Sequence, residues 1–199
     1  MPMQVIDSPP EVAESPDDEA MMYEYVNGER TEKNVSWLSQ VVGSKAYRYI
    51  DVFAEESGMG GIASAEPYIR CFDWAPGTSR RPDAAYWRAE QVPDGLPPRG
   101  DAGVAPALVV EVVSPGDSAD DLEVKLAEYY RAGVELAWIV YATARTVHVE
   151  QPDGTAHVYR DGQTFPGDPV LPGLRIEVSS LFPMVKPPAE ANGRAAGAS

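Results

Sequence analysis

The densest apolar run in the chain is AlaLeuValValGluValValSer, residues 107–114, and its β-branched composition predicts a strand buried on both faces. Pro115-Gly116-Asp117 turns this run into a predicted helix over 118–132, which Gly133 ends. GluLeuAlaTrpIleValTyr, 135–141, is a second buried strand. Two such strands joined by a helix predict a parallel pair with a right-handed crossover. ThrValHisValGlu, 146–150, alternates strictly and is expected to pair with 135–141 as a hairpin. Pro152-Asp153-Gly154 then turns the chain into a further strand at 155–159. Pro-Gly pairs at 166–167 and 172–173 lead to a short strand at IleGluVal, 176–178.

Upstream the same reading continues. Residues 21–33 predict a helical turn or short strand, a tight turn at Asn27-Gly28, and a strand. Leu38, Val41, Val42, Tyr49, Ile50 and Phe53 recur near helical spacing, so 36–56 is a predicted helix capped by Ser36 and stopped by Gly58, Gly60 and Gly61. A strand tolerant of proline is expected over 62–72, a turn over 73–80, and a strand over 82–87. Residues 89–106 form a Gly/Pro-rich loop. The fold class is α/β (or α+β), with a mixed central β-sheet flanked by at least two helices.

Composition narrows the picture. Hydrophobic residues make up 44% of the 199, enough for one globular domain with its own core. Residues 1–20 are acidic and Pro-rich and read as a disordered tail, residues 21–185 as the domain, and residues 186–199 as a second disordered tail. A lone cysteine, Cys71, excludes an internal disulfide and a cysteine-based zinc site, and reads as a small, partly buried hydrophobe. No apolar run reaches the roughly 20 residues that span a bilayer, and no secretory signal opens the chain, so the expected location is the cytoplasm.

The formal net charge is −15. Residues 1–20 hold six acids and no base, and residues 186–199 two bases and one acid, which leaves −10 for the domain. Binding nucleic acid through bulk electrostatics needs many Lys and Arg, so any such role here requires a local patch.

Candidate chemistry begins at Glu111, a carboxylate inside the apolar strand. Such a group must be paired, protonated or metal-bound if buried, or must sit at a sheet edge facing water. Asp83 follows Pro82 at the start of another strand. It reads either as a turn cap or as a second carboxylate beside Glu111, in which case the two make the oxygen-rich site that magnesium prefers. On the helix at 118–132, Leu122, Leu126, Tyr129 and Tyr130 share one arc, and Lys125 lies about 40° beyond Tyr129. Its ammonium can reach the sheet or pair with Asp121 on the surface. Asp121 and Glu128 read as solvated outer-face charges. Arg70, Arg80, Arg81 and Arg88 either gather near Asp83 as a phosphate patch or scatter over the surface. His148 and His157 read as solvent-facing strand residues, and Trp37, Trp87, Trp138 and the tyrosines as core and core rim.

Four segments together carry a resemblance. They are ProAspAlaAlaTyrTrp (82–87), LeuValValGluValValSerPro (108–115), AspLeuGluValLysLeuAlaGluTyrTyrArgAlaGlyVal (121–134) and TrpIleValTyr (138–141). With TyrGluTyrValAsnGlyGlu (23–29), Val170-Leu171-Pro172-Gly173 and Ser180-Leu181-Phe182, they resemble the Uma-type "putative restriction endonuclease" family of the PD-(D/E)XK superfamily. The resemblance covers about 21–183 and implies a restriction-endonuclease-like fold. It implies that Asp83 and Glu111 ligate magnesium or manganese and that Lys125 completes the catalytic set. The common superfamily lysine two residues after the glutamate is Val113 here, and Lys125 takes the family's alternative place on the following helix. Glu24 or Glu29 matches an additional N-terminal acid, without a role assigned to either. Ser36-Trp37 stand where relatives often carry a histidine. The implied activity is metal-assisted hydrolysis of phosphodiester bonds in nucleic acid, DNA foremost. The alternative is an inactive nuclease fold that binds nucleic acid or a protein partner. The hairpin at 146–159 offers an edge for a homodimer.

Overall fold

Asn27 and Gly28 take φ of 53° and 86°, the left-handed pair that a two-residue hairpin requires, and join β1 (Tyr23–Val26) to β2 (Glu29–Glu32). The computed structural model describes residues 22–95 and 100–183. The two predicted tails, and residues 96–99 of the Gly/Pro-rich loop, lie outside them. Backbone bonds from Tyr25 to Ser79 and from Gly28 to Gly77 lay the hairpin against the segment that leads into Asp83.

Helix α1 (Trp37–Glu56) starts where expected. The Ser36 hydroxyl accepts from the Ser39 N–H, and Ser39 returns the bond to the Ser36 backbone. Its buried stripe is Val42, Ala46, Ile50 and Ala54, with Ser39 and Gly43 beside them. The larger residues of the predicted stripe flank it instead: Leu38 and Phe53 pack at its margin and Tyr49 is exposed. Small side chains at the contact let the helix lie close to the sheet. The predicted strand over 62–72 is short, ending as β3 at Ala65. Glu66 there takes φ 48° and Pro67 follows, so the ladder cannot continue. The chain reaches Ile69 and pairs instead with Arg80 and Ala102 as isolated bridges.

The central sheet has the order β3-β4-β5-β6-β7-β8, with β3 Ile62–Ala65, β4 Ala84–Trp87, β5 Leu108–Val113, β6 Leu136–Tyr141, β7 Thr146–Glu150 and β8 Ala156–Arg160. Only β5 and β6 run parallel, and helix α2 (Ala119–Ala132) connects them. Ser118 caps α2, and Gly133 ends it at φ 109°. The mixed sheet with two helices is the predicted fold class. Two further strands, β9 (Thr164–Pro166) and β10 (Arg175–Glu177), pair with each other. Sequence pattern missed β9, whose three residues are too few to show a period.

Side-chain alternation on β5 divides the core. Leu108, Val110 and Val112 pack with the α1 stripe, whereas Val109 packs with Leu126 and Tyr129 of α2. The β9–β10 ribbon closes the α1 side, where Phe165 meets Trp138 edge-on at 5.0 Å. Trp87 and Trp138 are buried as expected, but Trp37 is 84% exposed. It is the first helical residue, adjacent to the cap, and its position on α1 lies off the stripe that meets the sheet. Cys71 is partly buried, and burial pushes its thiol up to about 12, as suits a packing residue. Among the described residues no helix is long and apolar enough to cross a membrane.

If the ribbon is an integral part of the core, Phe165→Ala should lower unfolding free energy by about 3–5 kcal/mol in urea titrations. Trp37→Ala should change it by less than about 0.5 kcal/mol.

Candidate active site

β4 and β5 are antiparallel with Ala84 opposite Val110; Asp83 lies one residue before that ladder and Glu111 one residue beyond its end on β5. The Asp83 N–H donates to the Val110 carbonyl at 2.9 Å, which ties Asp83 to β5 just before the ladder begins. Pro82 has no N–H to pair, which suits it to the position just before the strand. Both carboxylates are 5% exposed, so neither the water-facing edge for Glu111 nor a surface turn cap for Asp83 describes them.

Alternation points Glu111 toward α2, where the Tyr129 hydroxyl donates to its Oε1 at 2.8 Å and the Lys125 Nζ lies 3.5 Å from its Oε2. Lys125 also donates to Glu24 Oε1 at 3.0 Å. Of the two directions open to Lys125, the ammonium takes the one toward the sheet, and Asp121 stays exposed. Asp83 is held differently. Its Oδ2 accepts from the Val112 N–H at 2.6 Å, and its Oδ1 accepts from Lys33 Nζ at 2.8 Å. Lys33 donates again to the Arg81 carbonyl at 3.0 Å.

Glu24 is the hub on the hairpin side. It accepts from Arg80 Nη1 at 3.0 Å, from the Arg81 N–H at 2.9 Å and from Lys125. Arg80 continues to Glu128 Oε2 at 2.7 Å, so Glu128 is not the solvated outer-face charge expected of it. It lies three residues beyond Lys125, one turn along the same side of α2. Four carboxylates (Glu24, Asp83, Glu111, Glu128) therefore interleave with three cations (Lys33, Arg80, Lys125).

These contacts set the protonation tendencies. Burial raises the Glu111 carboxyl above its ordinary value, against the pull of Lys125 and Lys33. Burial alone would raise Glu24 too, but Lys125, Arg80 and the Arg81 N–H outweigh it and hold Glu24 low. For Lys125 and Lys33, burial acts to lower the pKa, and the neighbouring carboxylates outweigh it and raise both. Burial and the Glu111 charge push the Tyr129 hydroxyl well up, so it remains a donor.

The predicted arginine patch does not form as a set of unengaged cations. Arg70 pairs with Asp101, Arg80 with Glu24 and Glu128, Arg81 with Glu66, and Arg88 with Glu135. His157 is exposed, and the His148 ring lies against Tyr141 at 4.5 Å. A cleft of about 630 Å³ opens between the hairpin, the end of β5 and the start of α2, with Glu24, Lys33, Arg80, Glu111 and Lys125 on its wall. Asp83 lines a separate cavity of about 390 Å³ beside Gly43 and Arg81.

Lys33, Tyr129 and Glu128 were not read as site residues from sequence, and Glu24 was not distinguished from Glu29. Alternation with Tyr23 and Tyr25 sets Glu24 on the polar face of β1, so no local signal marks its burial, which comes from the docking of the hairpin. Lys33 follows β2 and carries no local signal, because its position depends on where the hairpin docks.

The segment just before β4 and the neighbouring strand β5 thus each carry a buried carboxylate, and α2 supplies a lysine beside Glu111. The chain belongs to the Uma2 family, described as "Putative restriction endonuclease", whose model matches residues 9–179. The fold is similar to a crystal structure of "a putative nuclease belonging to DUF820" from Anabaena variabilis ATCC 29413. That likeness has 19% sequence identity, covers 80% of this chain and 89% of that one, and has a TM-score of 0.66. No curated protein matches.

Removing the hub should be costly, because it leaves Arg80 and Lys125 without their shared buried partner. Glu24→Ala should destabilise the protein by about 3–5 kcal/mol in urea titrations. Since the folded pKa of Glu24 is depressed, its contribution is present above the unfolded value, about 4.3, and is lost as pH falls through the folded one. Glu24→Gln should therefore show a shallower loss of stability than the wild type as pH drops below about 4.

Proposed function

We propose that this chain is a metal-dependent endonuclease that hydrolyses phosphodiester bonds in DNA, with Asp83 and Glu111 as metal ligands and Lys125 as the third catalytic group. The observation that carries the reading is that two buried carboxylates, Asp83 and Glu111, stand at the same end of the β4–β5 ladder, with Lys33 at 2.8 Å from one and Lys125 at 3.5 Å from the other. A buried carboxylate in a central strand has no packing advantage over valine, so a chemical use is the economical account.

The donor set suits a hard divalent ion. It offers carboxylate oxygens without histidine or sulfur, and among the described residues no larger group of metal-ligating side chains gathers. Magnesium or manganese takes one or two carboxylates and completes its shell with water and phosphate oxygen. When bound, the metal supplies a more acidic water and neutralises phosphate charge. The protein's own groups do the rest. The Val112 N–H fixes Asp83 through Oδ2, and Tyr129 fixes Glu111 through Oε1. Lys125, which lines the cleft, is placed to orient or deprotonate the attacking water or to stabilise developing charge. Lys125→Met should then cut turnover with little change in metal affinity.

One observation favours the second reading, a nuclease fold that recognises without cutting: the arginines nearest Asp83, Arg80 and Arg81, are both engaged by carboxylates. For a homodimer, the support is the end position of β8 in the sheet, where Val158 is 40% exposed.

The deciding experiment pairs magnesium and manganese calorimetry with cleavage of plasmid and single-stranded DNA, on wild type and Glu111→Gln. Binding and cleavage lost together in the variant are the expected result. Metal binding without cleavage, on either substrate, would favour the recognition module.

A further inference from the structure

Resting on the metal reading of Asp83 and Glu111, the geometry points to a role for Lys33: its ammonium is a built-in occupant of the metal position, which must leave Asp83 before a divalent ion can bind both carboxylates. Both Asp83 oxygens are engaged, one by the Val112 N–H and one by Lys33. The first donor belongs to the sheet backbone and cannot move away alone. The second sits on a flexible four-carbon stem. Lys33 is also on the wall of the large cleft, whereas Asp83 is not. The ammonium thus stands between the cleft and the carboxylate.

Its placement is built rather than incidental. The Lys33 N–H donates to the Met22 carbonyl at 2.8 Å, closing the hairpin one step beyond β2. Its side chain is 10% exposed and makes a second bond, to the Arg81 carbonyl. Asp83 and Glu111 both act on its charge, so it neutralises the same two groups that a metal would. Departure has a destination. The cleft is lined by Glu29, Glu32 and Asp117, where an ammonium on a long stem can be received near water.

The arrangement stabilises the metal-free fold by compensating a buried carboxylate, and lowers metal affinity by the fraction of time Lys33 is away. Manganese binding by calorimetry, and by the spin-resonance signal of free manganese, should be about tenfold tighter in Lys33→Met than in wild type. Metal-free Lys33→Met should melt at a lower temperature than wild type, and manganese should raise its melting temperature more. Lys33→Gln serves if the methionine variant does not fold, and should bind manganese more tightly as well. A readout on the unaltered protein is independent of both. Magnesium should speed acylation of the Lys33 amine by acetic anhydride, followed by mass spectrometry, because the amine moves into the cleft.

Equal or weaker manganese binding in the Lys33 variants, with wild-type binding intact and abolished by Asp83→Asn, would overturn the role of Lys33 and leave the metal site standing. Unchanged Lys33 acylation in saturating magnesium would overturn it equally. Absence of manganese binding in wild type and variants alike would remove the metal reading and the role of Lys33 together.

Discussion

A carboxylate buried in the middle of a six-stranded sheet is the constraint around which the site is arranged. Taking an ionised carboxylate out of water costs several kcal/mol even after relaxation. Glu111 is tolerated because Tyr129 donates to one oxygen and Lys125 stands by the other. Lys125 must then be satisfied in its turn, which brings Glu24 from the N-terminal hairpin. Glu24 brings Arg80, and Arg80 brings Glu128 back on α2. One buried charge on β5 thus organises residues more than 100 positions apart into a closed ring of partners. The hairpin, which shares no sheet with β5, is docked largely by this polar chain and by its backbone bonds to 77 and 79.

Such a ring is rigid and nearly neutral. The surrounding molecule is strongly acidic, so the cluster is a local departure from the charge of the chain. Charges held this way are not available for long-range attraction of a polyanion. An anion placed in the cleft would meet cations already engaged in ion pairs.

Much of this was legible in the sequence. The run at 107–114, the helix with its Ser118 cap and Gly133 stop, and the alternation at 146–150 each determine one element by local physics. The wheel position of Lys125, at the border of the arc packed by Leu126 and Tyr129, left it two directions, the sheet or Asp121 on the surface, and the structure takes the first. What local pattern could not convey was which partner each charge would find. Glu128 and Glu29 are equally polar in sequence, yet one completes a buried ion pair and the other is exposed. Trp37 was misplaced for the same reason, because hydrophobicity alone does not say which side of α1 meets the sheet. Lys33 belongs to the hairpin's docking, a long-range event with no short-range signature.

The stripe of small residues on α1 has a consequence beyond packing. A side-chain carbon built at Gly43 would lie 3.0 Å from the Asp83 Cβ, closer than nearly all natural contacts of that kind. The missing methyl group therefore works as a gauge: it fixes how near the helix backbone may come to Asp83, just before β4. The position of Asp83 against the helix is thus set from behind, by a residue with no polar side chain and no charge. In a protein that differed only there, Asp83 or the helix would have to shift to make room.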